Sequence, residues 1–220
     1  MASTSHANAA SASRPGARLL IVGPPGAGKG TQAARIAAAL RIPAISTGDI
    51  FRENIRNGTP LGARVQHFLD AGDLVPDTLT NELVADRMRQ PDAEQGFLLD
   101  GFPRTPEQAD FLDAHLAQHG GTLDAVIRLV ADNDEVIIRR LVQRGLELGR
   151  SDDTEDTIRH RLEVYTQQTA PLIRMYEQRG LLAEVDSLGP IGHVTARTLA
   201  ALADRGIIAD EPANHQLADT

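Results

Sequence analysis

The sequence predicts an α/β sandwich, a five-stranded parallel sheet with helices on both faces. Three observations carry that expectation. Short apolar runs alternate with helix-periodic segments from residue 19 to residue 203, the order of repeated strand–helix–strand units. The first run, Leu19, Leu20, Ile21 and Val22, leads straight into GPPGAGKGT at 23–31, a G-x-x-x-x-G-K phosphate-binding loop between a strand and a helix. Another apolar run, 96–100, ends in the carboxylate of Asp100, and parallel strands deliver their C-terminal ends to the edge that bears such a loop.

Within the loop, glycines let the backbone curl so that successive N–H groups point inward, and Lys29 adds a mobile positive charge. The segment after it, TQAARIAAALRI, has helical spacing, so the loop also sits at a helix N-terminus, which favours anions. The usual pattern puts Ser or Thr directly after the lysine as a magnesium ligand. Here Gly30 intervenes before Thr31, so the pattern does not carry metal ligation by Thr31.

A second strand is expected at 42–45, followed by STGDIFRENIRNG, in which Ser46 or Thr47 caps a helix carrying Ile50, Phe51 and Ile55, with Arg52 one turn in. Gly58, Pro60 and Gly62 break that helix, 61–69 forms another, and AGDLVPD turns the chain. Two short helices do not fill a crossover and instead predict a small inserted subdomain. A helix at 78–90 precedes the third strand, 96–100. Asp100 there is a magnesium candidate, its alternative being a turn-former before Gly101. In the following GFPRT, Pro103 stiffens the backbone that presents Arg104.

A helix at 105–118 leads to a fourth strand at 125–130, with Arg128 inside it unexplained by any function. The helix from Asp134 carries Arg140 and Arg144 one turn apart on one face. Arg150 follows in a connecting segment, and Arg161 lies on a helix spanning 158–178 that Pro171 should kink or divide. A fifth strand at 181–185, a loop at 186–192, a helix at 194–203 and an acidic tail at 206–220 complete the chain.

Composition removes other classes. The 220 residues, 41% hydrophobic and 24% charged, suit one compact soluble domain. A formal net charge of −8 argues against nonspecific nucleic-acid binding, which needs a basic surface. The chain has no cysteine, hence no disulfide, thiolate–zinc site or cysteine nucleophile. No apolar run approaches the roughly 20 residues that span a bilayer, so no membrane partner is expected and the location expected is cytoplasmic. Residues 1–17, mostly Ala, Ser and Asn, read as a disordered extension. Their Ser/Ala bias and lack of acids leave a transit peptide as the alternative. H-E-x-x-H and G-x-S-x-G turns are both missing. A phosphate loop, a set of arginines and a strand-end aspartate are what phosphoryl transfer asks of a protein: placement, charge neutralisation and magnesium.

Taken together and in order, GPPGAGKGTQ, STGDIFR, AGDLVPD, LLDGFPRTPEQA, RLVQRG and GRSDDTEDTIRHRLEVY resemble the adenylate kinase family, over about residues 18–202. The resemblance implies a three-layer P-loop sandwich, a nucleoside monophosphate kinase domain at 18–205. It implies a small helical NMP-binding insertion at 46–75 and a short lid at 144–153, without the zinc of longer lids. It implies reversible, magnesium-dependent transfer of the terminal phosphoryl of ATP to AMP, giving two ADP, with a UMP/CMP kinase of the same fold as the alternative. On the donor side it implies Gly26, Ala27, Gly28, Lys29, Gly30 and Thr31 at the phosphates, Arg140 against the adenine, Arg144 beside it, and the backbone near Gly189 at the base. On the acceptor side it implies Thr47, Arg52, the backbone of Asp73, Leu74 and Val75, then Gly101, Phe102, Pro103, Arg104 and Gln108. Lys29, Arg104, Arg140, Arg150 and Arg161 are implied to be catalytic, with Arg150 and Arg161 converging on the transferring group from the AMP side. Asp100 is implied to hold magnesium's waters, and Asp152 and Asp153 to hinge or tether the lid. Relatives that take UMP or CMP usually have Ala in place of Thr47 and Asn near Gln108, so AMP is the acceptor expected. The family also implies a monomer.

Overall fold

The computed structural model describes residues 16–131, 134–150 and 152–208. The expectations for residues 1–15 and 209–220 fall outside that range. Fourteen helices and strands alternate along the chain: β1 (Arg18–Val22), α1 (Lys29–Leu40), β2 (Ala44–Ser46), α2 (Thr47–Arg56), α3 (Pro60–Ala71), α4 (Asp77–Met88), β3 (Phe97–Asp100), α5 (Pro106–Gln118), β4 (Ala125–Val130), α6 (Asp134–Leu148), α7 (Glu155–Val164), α8 (Ala170–Gln178), β5 (Leu182–Asp186) and α9 (Ile191–Asp204).

All five strands run parallel, in the order β2-β3-β1-β4-β5. The continuous apolar runs are explained by burial on both faces. On β1, Leu20 and Val22 join Leu99, Val126, Leu112 and Leu172 in one core, against α5 and α8. Leu19 and Ile21, one residue out of step, join Leu98, Ile127, Ile36 and Val194 in the other, against α1 and α9. Register puts Ile21 and Ser46 on either side of Asp100, so the phosphate loop, the start of α2 and the end of β3 share one edge.

Helices α2 and α3 pack on each other between β2 and α4, around a small core of Phe51, Val65 and Val75. At Gly62 the helices approach so closely that a Cβ would stand 2.3 Å from the Asn54 carbonyl oxygen. Three buried side chains at roughly 1.5–3 kcal/mol each make a thin core, and this layer depends on its attachments to the main sheet.

Several boundaries differ from the sequence reading. Ser46, not Thr47, caps α2, its hydroxyl accepting from the Asp49 N–H. Ala17, inside the expected disordered extension, accepts from the Phe97 N–H and continues the sheet. In the expected tail, Ile207 and Ile208 pack on the α1/α9 core. Helix α6 runs on to Leu148, through half of the segment expected as a lid, until Gly149 at φ 61 ends it. Gly145 permits this, because a Cβ there would stand 2.8 Å from Asp153 Cβ on the returning chain. The long helix expected at 158–178 starts earlier, capped by Thr154, and divides at a π-helical turn, Tyr165–Thr169, with Pro171 seated in the first turn of α8 where its missing N–H costs little. Arg128 lies in register with Glu184 on β5 and donates to it at 2.7 Å, a structural reason for a charge in a strand.

Candidate functional site

Between β1 and α1 the loop backbone takes left-handed turns at Gly26 (φ 80) and Gly28 (φ 85), conformations that side chains rarely adopt. A Cβ at Gly26 would also meet Ile137 Cγ2 at 2.6 Å, so α6 lies directly over the loop. Lys29 curls back, its Nζ donating to the carbonyls of Gly23 and Pro24, both at 2.8 Å. Burial of this ammonium lowers its pKa to about 8, against the raising effect of Asp100. Asp100, at the end of β3, is pushed the other way: burial raises its pKa, with Lys29 opposing. The position of a Cβ at Gly30 lies 3.7 Å from Asp100 Oδ2, so the first turn of α1 faces this carboxylate.

Arg104 is held at three points. Its N–H donates to Gln108 Oε1 at 2.8 Å, its carbonyl accepts from Thr169 Oγ1 at 3.0 Å, and its Nε donates to the Gly101 carbonyl at 2.9 Å. Phe102 is buried in the main core, and the Phe102–Pro103 peptide is cis. Thr47 Oγ1 reaches the same Gly101 carbonyl at 3.0 Å. Burial, then the neighbouring Arg161, lowers the Arg104 pKa to about 10. Arg150 and Arg161 are also lowered, burial being the largest cause for each.

Three aspartates occupy these arginines. Asp153, fully buried at its side chain, takes a two-pronged contact from Arg144 at 2.8 Å on each prong and another from Arg161 at 3.0 Å. Asp152 accepts from Arg161 at 3.2 Å and from Arg52 at 3.4 Å. Asp49 accepts from Arg52 at 2.6 Å and Arg150 at 3.5 Å. Burial, the largest single influence, would raise the Asp49 pKa, but the Arg52 hydrogen bond and charge, the Ser46 hydrogen bond and the Arg150 charge together outweigh it and hold the carboxyl low. One chain of charge thus runs from α2 through the segment after α6 to α7.

Two clefts open on the edge. One, of about 540 Å³, is walled by Thr47, Arg52, the 73–75 segment, Gln108 and Asp152. The other, of about 520 Å³, is walled by Gly23, Pro25, Lys29, Pro103 and Tyr165. Both include Gly101, Arg104 and Arg161, so they meet at two guanidinium groups. Of the residues expected on the acceptor side, Thr47, Arg52, the 73–75 segment, Gly101, Arg104 and Gln108 gather around the first cleft, whereas Pro103 walls the second and Phe102 lines neither, its ring being buried in the main core; Lys29 lines the second. Arg140 is exposed on α6 and lines neither cleft, as do Arg144 and Arg150. Gly189 (φ 103) is exposed in the β5–α9 loop, which is tied to α1 by Gln32 Nε2 donating to the Ile191 carbonyl at 3.1 Å.

Sequence reasoning missed Asp49, Asp77 and Thr169. Asp49 had a readable signal, an acid three residues before Arg52 on a helix. Asp77 bonds Gln108, and Thr169 bonds Arg104 from 65 residues away, neither of them announced by local pattern. Among the described residues, no three or more His, Asp and Glu side chains gather as a metal cage. One buried carboxylate beside a phosphate loop suits an oxygen-loving cation held mainly by phosphate and water.

A sequence model of the adenylate kinase family matches residues 21–181. The chain is similar to the adenylate kinase of Leifsonia xyli subsp. xyli, at 60% identity over 190 residues covering 86% of this chain and 95% of that protein. It is 59% identical to the adenylate kinase of Kocuria rhizophila, covering 84% and 98% of the two chains, and 57% identical to that of Thermobifida fusca, covering 86% and 99%.

Proposed function

The chain belongs to the adenylate kinase family of phosphotransferases, and from that premise we propose that it carries the terminal phosphoryl of ATP to AMP at the junction of the two clefts, giving two ADP. The observation that carries this reading is the shared wall: Arg104 and Arg161 belong to both clefts, so an acceptor phosphate in one and a donor phosphate in the other would face the same two cations.

On this reading the loop N–H groups from Gly26 to Thr31 hold the donor's phosphates, and Lys29 leaves the carbonyls of Gly23 and Pro24 for phosphate oxygens. Arg140, Arg144 and the backbone at Gly189 frame the donor nucleoside. Arg52 and Arg104 grip the acceptor phosphate, whose oxygens suit the guanidinium fork. Arg150 and Arg161 close on the group in transfer. Because Asp49, Asp152 and Asp153 hold four of these arginines, nucleotide phosphates would displace or share with carboxylates, and binding would rearrange the segment 144–153 that serves as lid over the insertion 46–75. Asp100 is placed to order the waters of a magnesium ion. A magnesium ion held through Asp100 would supply positive charge that neutralises the phosphates in transfer. Water exclusion by the closed lid keeps AMP the only acceptor.

No described helix is long and apolar enough to cross a membrane; the reading expects a cytoplasmic monomer. An assay of ATP with AMP, UMP or CMP, with and without magnesium, tests it. ADP forms with AMP and magnesium, and UMP and CMP lag far behind. Absence of ADP, or faster turnover of a pyrimidine nucleotide, overturns it.

A further inference from the structure

Gln108 is 2% exposed yet lines the first cleft, and its amide is bonded from two sides. Nε2 donates to Asp77 Oδ1 at 2.6 Å, and Oε1 accepts from the Arg104 N–H at 2.8 Å. Each partner works in one direction only: a carboxylate has no hydrogen to give and a backbone N–H no lone pair to offer. Rotating the amide by half a turn would set Oε1 against a carboxylate oxygen and the NH₂ against an N–H, and both contacts would become repulsive together. Asp77 is itself fixed, because its Oδ2 accepts from Thr105 Oγ1 at 2.9 Å, and that hydroxyl also caps α5 by accepting from the Gln108 N–H at 3.2 Å. Asp77, Thr105 and Gln108 thus close a ring between the start of α4 and the start of α5.

A primary amide has two hydrogens and two lone-pair directions, so this arrangement leaves one of each for a ligand. A purine with a 6-amino group presents an acceptor at N1 and a donor at N6, which that pair satisfies. A 6-oxo purine presents N1–H and O6, the reverse order, which only the rotated amide would satisfy. We infer that Asp77 is a specificity-determining positioning residue: by locking the Gln108 amide in one orientation it makes the acceptor cleft choose 6-amino over 6-oxo bases. This rests on the reading that the first cleft takes the acceptor nucleotide with Gln108 at its base.

The test compares kcat and KM for AMP and for inosine 5′-monophosphate, which differs from AMP only along that edge, in the full chain and in two variants. Asp77→Ala removes the lock. The ratio of kcat/KM for AMP to that for the inosine nucleotide should fall by about ten-fold or more, the worth of one well-made bonding pair, through a raised KM for AMP and a lowered one for its competitor. Asp77→Asn keeps the volume but can bond the Gln108 amide in either orientation, so it too leaves only the Arg104 N–H opposing rotation, and the ratio should fall about as far as in the alanine variant. A purely structural role would lower the melting temperature and both activities in proportion, leaving the ratio unmoved. An unchanged ratio in folded Asp77→Ala, or in Asp77→Asn should the alanine variant not fold, overturns the proposal. If the unaltered chain itself accepts both nucleotides equally, base reading by Gln108 fails and takes the Asp77 proposal with it, a result distinct from a discriminating chain whose variants discriminate as well.

Discussion

On the proposed reading, the two halves of the site would hold phosphate in opposite ways. The half built from Gly23 to Thr31 is a backbone structure whose shape is set by left-handed glycines and by α6 lying against Gly26. Its single cation, Lys29, rests on the loop's own carbonyls. The other half is made of side chains, and its cations are engaged by Asp49, Asp152 and Asp153. A backbone cradle is shaped before a ligand arrives, and only the two hydrogen bonds of Lys29 must be given up to use it. An arginine cluster at a low-dielectric edge would repel itself, and the carboxylates among these arginines offset that repulsion.

The contrast is broken most severely at the junction. Arg104→Ala should cut turnover by about three orders of magnitude, as removal of a transition-state charge donor does, while far-ultraviolet circular dichroism and melting temperature stay near those of the unaltered chain. Turnover within a few-fold of normal would place Arg104 outside the transfer. In the side-chain half, Asp153→Ala takes the carboxylate from Arg144 and leaves Arg161 with Asp152 alone. Both arginines keep some contact with water, so the cost should be about 1–3 kcal/mol rather than the full penalty of a buried unpaired charge. Urea denaturation reads this directly, and a midpoint equal to that of the unaltered chain would show the pairing to be energetically idle.

The backbone half carries a pH signature instead. Burial lowers the pKa of Lys29 from 10.5 to about 8. The unfolded chain therefore binds more protons between about pH 8 and 10.5, and this group's contribution to stability rises with pH across that window and is lost below it. Bound phosphates favour the charged ammonium, so ATP binding at pH 8.5 should take up a proton and weaken by up to about ten-fold per unit of further rise. Calorimetry in two buffers of different ionisation heat measures the uptake, which should vanish at pH 6.5 and in Lys29→Met. Uptake equal in Lys29→Met assigns it elsewhere. The smallest effect is expected at the exposed end of the aspartate chain. Asp49→Asn removes a competitor for Arg52 and Arg150 at a half-exposed site worth about 0.5–1 kcal/mol, and should lower KM for AMP by about two- to five-fold. A raised KM would mean that Asp49 aims these arginines rather than withholding them.

The backbone half was also the legible half. A glycine–lysine spacing between an apolar run and a helix fixes a local conformation, and local conformation is what residue order encodes most directly. The parallel sheet was legible for the same reason, since runs such as LLIV and FLLD bury both faces. Arg52 and Arg161 could be named, as could Asp152 and Asp153, but not which of them pair, because Arg52 and Asp152 are 100 residues apart and neither side chain implies the other. The orientation of Gln108 was hidden for the same reason, as Asp77 sits 31 residues before it. The continuation of α6 beyond Arg144 was masked by Gly145, which reads as a helix end but serves the close approach of Asp153.

Following the label of ATP carrying ³²P in its terminal phosphate, with AMP and magnesium present, tests direct transfer across the junction most plainly. The label should appear in the β-position of ADP, with none on the protein and almost none as free phosphate. Label held on the chain, or released as inorganic phosphate at a rate matching ATP consumption, would contradict a single transfer between two nucleotides meeting at Arg104 and Arg161.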